Sequence, residues 1–278
     1  AESEATFPSW LGKLPLALIA IGALLGIIGL IVDTTHFTHS WLVSFMFYLS
    51  ICLGGFFLVL LHYLLDTHWI VPIRRIAEHL SCLLPVLAVF FIPIAIWSGM
   101  EFVTVSSGAE KHEHEQVSKA MEAGENAAAA HGEKVDLKGL AEGDHAHGHG
   151  HGGPRAFYAW MQTEKEYNKT HETHDHAWYA KKGYLNSTFW HLRWILCFVL
   201  WGLITWFMRK YSLAQDLDGA SKWTSYNRKI AAGGIFIFAA TLTIGAIDWM
   251  KGLEYQWFST MYGVYYFAGS VWVSLITI

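Results

Sequence analysis

Five apolar runs, 14–32, 41–65, 80–98, 188–208 and 230–250, constrain this chain more than any other feature. Each is long enough to cross a hydrocarbon layer of about 30 Å, which takes roughly 20 helical residues. A sixth, 259–278, is similar in character. In hydrocarbon no water satisfies the backbone, so a crossing segment closes its own hydrogen bonds as a helix or joins a closed barrel. Runs of this length without period-2 alternation are helical. Composition agrees: 53% of residues are hydrophobic and only 15% charged, against about 25% charged in an average soluble domain. The fold class expected is therefore all-α, a polytopic membrane protein with six transmembrane helices.

The first run makes a poor signal peptide, because Glu2 and Glu4 make its start acidic and no small-residue cleavage site follows. It is expected to remain as a helix. No charge follows the sixth run, which suggests the front part of a longer protein. Orientation comes from Lys and Arg in the short connections. With the N-terminus inside, the inner face carries Lys13, Arg74, Arg75, Arg209, Lys210, Lys222, Arg228 and Lys229, and the short outer connections only Lys251. The chain then divides into helices one to three (1–100), a His-rich periplasmic loop (101–186) and helices four to six (187–278).

That loop contains "EKHEHEQ", "AGENAAAAHGEK" and "DHAHGHGHGGP". Charged, Gly-rich and poor in large apolar residues, its middle buries too little surface to offset ordering entropy and reads as partly disordered. Its end regains aromatics at heptad-like spacing, Phe157, Trp160, Tyr167 and Trp178. A helix over 157–178 is expected there, lying on a neighbouring protein or on the membrane surface. His145, His147, His149 and His151 are weak candidate metal ligands. Imidazoles bind zinc and copper, yet the intervening glycines fix no ligand geometry, so weak binding is the expectation.

Cys52, Cys82 and Cys197 all lie in apolar runs, with no Cys-x-x-Cys pair and no Cys-x-x-Cys-His haem attachment. No covalent haem or iron–sulfur cluster is expected in this chain, and the thiols read as packing residues.

Ionisable residues at membrane depth are costly and mark function until a partner explains them. The inner turn "LLHYLLDTHWIVPIRRIAEHL" carries His62, Asp66, His68, Arg74, Arg75, Glu78 and His79. His62 and Asp66, four apart, share a helix face. A proton-exchange mouth, with His62 passing protons between water and the bundle, stands against a surface charge belt with the arginines as topology anchors. At the other end, "DWMKGLEYQWFSTMYG" places Asp248 and Glu254 among Trp249 and Trp257 near the outer interface. Asp248 could cap the chain's approach to the sixth helix and bond indole or backbone groups. A His and an Asp four apart also suit a metal transporter, but that site wants a second acid–imidazole pair at midplane. Asp248 has Ile244 and Gly252 one turn to either side. A b-type haem would need two His on facing helices at one depth. His62 and His191 are near opposite faces, which leaves only His62 with His79.

Three stretches, "HYLLDTHWIVPIRRIAEHL" (62–80), "GYLNSTFWHLRWILCFVLWGLITWFMRKYSLAQDLDG" (183–219) and "DWMKGLEYQWFSTMYG" (248–263), together resemble the F-type membrane subunit of alternative complex III. That complex is a bacterial quinol:cytochrome c or quinol:oxidase oxidoreductase. The resemblance implies a relative of the polysulfide-reductase membrane subunit, with about ten helices around two four-helix bundles, of which this chain holds the first six. It implies no cofactor here. Partners would be a C-type membrane subunit holding the quinol site, an iron–sulfur subunit, multihaem cytochrome c subunits and a terminal oxidase, with lipids around the helices and no nucleic acid. It also implies a proton path whose mouths are the two clusters. Where the family often reads "SLEPHW" or "SIDTHW", this chain reads "GLEYQW", losing the His and keeping Glu254 and Trp257. The expected location is the bacterial cytoplasmic membrane. The competing function is a metal or ion transporter with a His-rich periplasmic loop.

Overall fold

The computed structural model describes residues 9–98, 101–102, 155–161, 180–254 and 256–278. His145, His147, His149 and His151, most of the His-rich loop and residues 162–178 of the expected helix lie outside them.

The described chain is helical apart from one two-residue antiparallel pairing. The helices are α1 (Ser9–Val32), α2 (Thr34–Leu65), α3 (Arg74–Ser81), α4 (Leu84–Trp97), α5 (Ser187–Asp218), α6 (Lys222–Gly245) and α7 (Tyr262–Thr277). Among the described residues, five helical stretches are long and apolar enough to cross a membrane, the third running from His68 through Trp97 across three elements. The last helix, α7, has 16 residues, below the roughly 20 of a perpendicular crossing.

The apolar runs and the helices differ at their ends for identifiable reasons. Hydropathy reports the part of a helix that lies in hydrocarbon, whereas backbone hydrogen bonding continues into water until a cap stops it. At 32 residues α5 is about 48 Å long, and its last turns carry Arg209, Lys210, Asp216 and Asp218. It ends where Gly219 turns left-handed, at φ 66°. Likewise α2 begins at Thr34, not at 41, because the Asp33 carboxylate accepts from the His36 N–H at 3.0 Å and caps it. The third run begins with a separate short helix, because Pro85 offers no N–H to the carbonyl four residues back and the ladder breaks at Cys82 and Leu83.

Helices α2, α4, α5 and α6 form a closed ring, each packed on the next. The ring encloses a core that is aromatic toward the C-terminal end of α6. Trp249 lies parallel to Phe198 at 5.6 Å and 4.8 Å from Phe91, which in turn meets Phe45 at 5.3 Å. Outside the ring, α3 and α7 pack on α2 through adjacent glycines. At Gly55 a side chain would meet Leu80, and at Gly54 the α7 backbone is so close that a Cβ would stand 2.1 Å from the Ser270 carbonyl oxygen. The Ser274 hydroxyl donates to the Ile51 carbonyl at 2.5 Å across this contact. By contrast α1 is exposed over Leu14–Val32 and meets α2 at its C-terminal end, where Phe37 lies on Gly29.

Candidate functional site

Charged residues gather at opposite ends of the ring. At one end α3 presents Glu78, buried at 3% exposure. Its Oε2 accepts from Arg75 Nη1 at 2.8 Å and Arg209 Nη1 at 2.9 Å, and its Oε1 accepts from the Ser212 hydroxyl at 2.7 Å. Arg74 stands 3.6 Å from Oε1. Asp216 then pairs with both Arg74 and Arg75. The arginines sequence reading takes for topology anchors thus enclose a buried carboxylate and fasten α3 to α5. His79 closes the edge. Its Nε2 faces Arg209 Nη2 at 3.3 Å and its Nδ1 faces the Arg75 carbonyl at 2.5 Å. A guanidinium only donates and a carbonyl only accepts, so Nδ1 faces an acceptor and Nε2 a donor.

His62 and Asp66 do not act as a pair. The chain turns left-handed at Asp66, φ 49°, ending α2. Its carboxylate goes to Arg228 at the start of α6, while His62 Nδ1 donates to the Thr67 carbonyl at 3.1 Å. The i,i+4 spacing predicted a shared face, and the helix end between them removes it.

At the other end Asp248 faces into the protein. Beyond α6 the helix widens into a π-turn, Ala246–Met250, followed by a 3-10 turn, Lys251–Leu253. A π-turn carries one extra residue per turn and re-aims side chains, and such turns are frequent at functional sites. Here Asp248 is fully buried in an ion pair between its Oδ2 and Arg193 Nε of α5, and Arg193 is itself 6% exposed. The Arg193 Nη1 donates to the Tyr184 carbonyl at 3.0 Å, and the guanidinium lies 4.1 Å from the Tyr184 ring centre and 4.5 Å from that of Phe189. Burial, with the Asp248 carboxylate adding to it, pushes the Tyr184 phenol up to about 12. Two atoms of the pair, Asp248 Oδ1 and Arg193 Nη2, have no hydrogen-bond partner among the described residues. Glu254, by contrast, is exposed, as is Trp257, whose ring meets Tyr262.

The π-turn and the 3-10 turn after it expose carbonyls that side chains satisfy. Trp190 Nε1 donates to the Asp248 carbonyl at 3.4 Å, the Tyr158 hydroxyl to that of Trp249 at 2.9 Å, and Trp160 Nε1 to that of Gly252 at 2.9 Å. Burial holds the Tyr158 phenol well above the usual range. Phe157, Tyr158 and Trp160 are thus part of the protein's own core. The described part of 157–178 is a bend and a short 3-10 turn, Ala159–Met161, and not the start of a surface helix. Their aromatic faces are buried by this chain itself.

Arg193, the partner of Asp248, is missed by sequence reading, although a lone Arg inside an apolar run is the signal that could have found it. Between the clusters Trp201 Nε1 donates to the Thr241 hydroxyl at 2.8 Å. Among the described residues hydrogen bonds do not link one cluster to the other. Groups of three or more His, Cys, Asp or Glu placed to hold a metal are not found among those residues. No family model and no curated protein matches the chain.

Proposed function

We propose that the chain is the F-type membrane subunit of a quinol-oxidising complex of the alternative complex III kind, in the cytoplasmic membrane of a bacterium. One observation carries this reading. The three stretches that bear the resemblance, far apart in sequence, are joined in space by their own charged residues. Glu78 of 62–80 is held by Arg209 and Ser212 of 183–219, and Arg193 of 183–219 pairs with Asp248 of 248–263. Buried charge is costly unless paired and hydrogen-bonded, so residues tied in this way form units that a random apolar bundle has no reason to keep.

In this reading the subunit scaffolds partners that carry the electrons: a C-type membrane subunit with the quinol site, an iron–sulfur subunit and multihaem cytochromes. The two clusters contribute the ends of a proton path, with His62 and the Glu78 group on the cytoplasmic side and the Asp248–Arg193 pair on the periplasmic side. The N-terminus is cytoplasmic and the His-rich loop periplasmic. Isolation in mild detergent tests the assignment. A coloured assembly containing haem and iron–sulfur subunits is the expected result. A colourless homo-oligomer would overturn it in favour of a metal or ion transporter.

A further inference from the structure

The segment 155–161 lies at the end of the ring that holds the Asp248–Arg193 pair, against α2, α5, the turns beyond α6 and the chain just past α4. The backbone of Arg155 and Ala156 pairs antiparallel with Phe102 and Glu101, a few residues past α4. The Phe157 ring lies 4.9 Å from that of His39 on α2, and the Tyr158 ring 5.4 Å from that of Trp190 on α5. Tyr158 and Trp160 reach the π-turn and the 3-10 turn beyond α6 through the hydrogen bonds described above. Beneath this cover lie Asp248 Oδ1 and Arg193 Nη2, an acceptor and a donor left unmatched on two side chains that are each more than nine-tenths buried. An unmet buried polar atom is costly, and water is its ordinary remedy.

We propose that segment 155–161 is a lid that controls the access of water to the Asp248–Arg193 pair. Closed, as seen here, it seals the mouth of the four-helix ring with three aromatic side chains. Raised, it lets water reach the unmatched donor and acceptor. Among the described residues, two residues of strand pairing, two side-chain hydrogen bonds and the packing of three aromatic side chains hold it in place, and no disulfide does, since Cys52, Cys82 and Cys197 are free thiols. The inference goes beyond the assignment to a respiratory complex and holds for any function that uses the buried pair.

Carboxylate footprinting of the full chain in mild detergent, with whatever assembles with it, tests the lid. A water-soluble carbodiimide with glycine ethyl ester labels accessible carboxylates, and peptide mass spectrometry reads Asp248 against the exposed Asp218 on the same molecule. In the parent, Asp218 is expected to react and Asp248 to stay essentially unlabelled. Tyr158→Phe/Trp160→Phe keeps aromatic rings at both positions but removes both hydrogen bonds, each contributing about 1 kcal/mol net, so labelling of Asp248 should rise at least about tenfold with Asp218 unchanged. Equal labelling of Asp248 and Asp218 in the parent overturns the proposal, as does an unchanged Asp248 in a folded double variant. A double variant that no longer folds overturns it too, because the segment would then be a fixed part of the core. Failure of the respiratory assignment would appear in the composition of the isolated complex and leave this readout untouched.

Discussion

Arg193 and Asp248 illustrate how a residue's meaning depends on its partner. Singly, each is an expensive charge at membrane depth; together they neutralise one another behind aromatic walls. Breaking a buried pair by removing one partner costs about 3–5 kcal/mol, because the other charge remains. Asp248→Asn alone should therefore lose thermal stability in detergent and yield little assembled protein. Arg193→Gln/Asp248→Asn removes both charges, keeps polar side chains facing one another and should recover most of that loss. If the pair relays protons, the recovered double variant should oxidise quinol at the parent rate yet move fewer protons per electron in reconstituted vesicles, since neither amide can change protonation. Parent-like stoichiometry in the double variant would leave the pair a purely structural tie.

Among the helices, α2 is the organising element because its small residues admit neighbours on two sides. Gly54 is closed by α7 and Gly55 by α3. In membranes, where lipid is as apolar as leucine, close backbone approach and cross-helix hydrogen bonds hold helices together, and the Ser274 bond to Ile51 depends on that approach. Gly54→Ala should cost about 1–3 kcal/mol, the usual penalty of overpacking, and free α7 to separate. Gly233, on the exposed face of α6 with nothing near it, is the control. Gly233→Ala should be neutral or slightly stabilising, because alanine is the better helix former by up to about 1 kcal/mol. Differential scanning fluorimetry on the two variants compares them directly, and equal melting points would refute the close-contact account.

Across the whole molecule, the charge asymmetry places a basic end opposite the end bearing the lid. Arg74, Arg75, Arg209, Lys210, Arg228 and Lys229 all belong to the end that holds Glu78. By the positive-inside rule, the orientation we propose makes that end cytoplasmic. Cysteines introduced at Gly143 and Ser225, probed with a membrane-impermeant thiol reagent on intact spheroplasts, check this. Gly143 should label and Ser225 should not; the reverse pattern would invert the orientation.

Apolar run length was enough to specify helices and their approximate spans, because the bilayer acts on the backbone of each segment separately and leaves no local alternative. The same locality allowed 62–80 and 248–263 to be singled out, since charge beside an apolar run is visible one residue at a time. Partnership was not visible in this way. That Glu78 sits among Arg74, Arg75 and Arg209, that Asp66 turns from His62 to Arg228, and that Asp248 faces Arg193 all depend on which helix faces stand opposite. So do the π-turn that aims Asp248 inward and the descent of Tyr158 and Trp160 onto it. Pattern and length act along a helix, whereas the cost of an unpaired buried charge or carbonyl is settled only when a second element arrives to meet it.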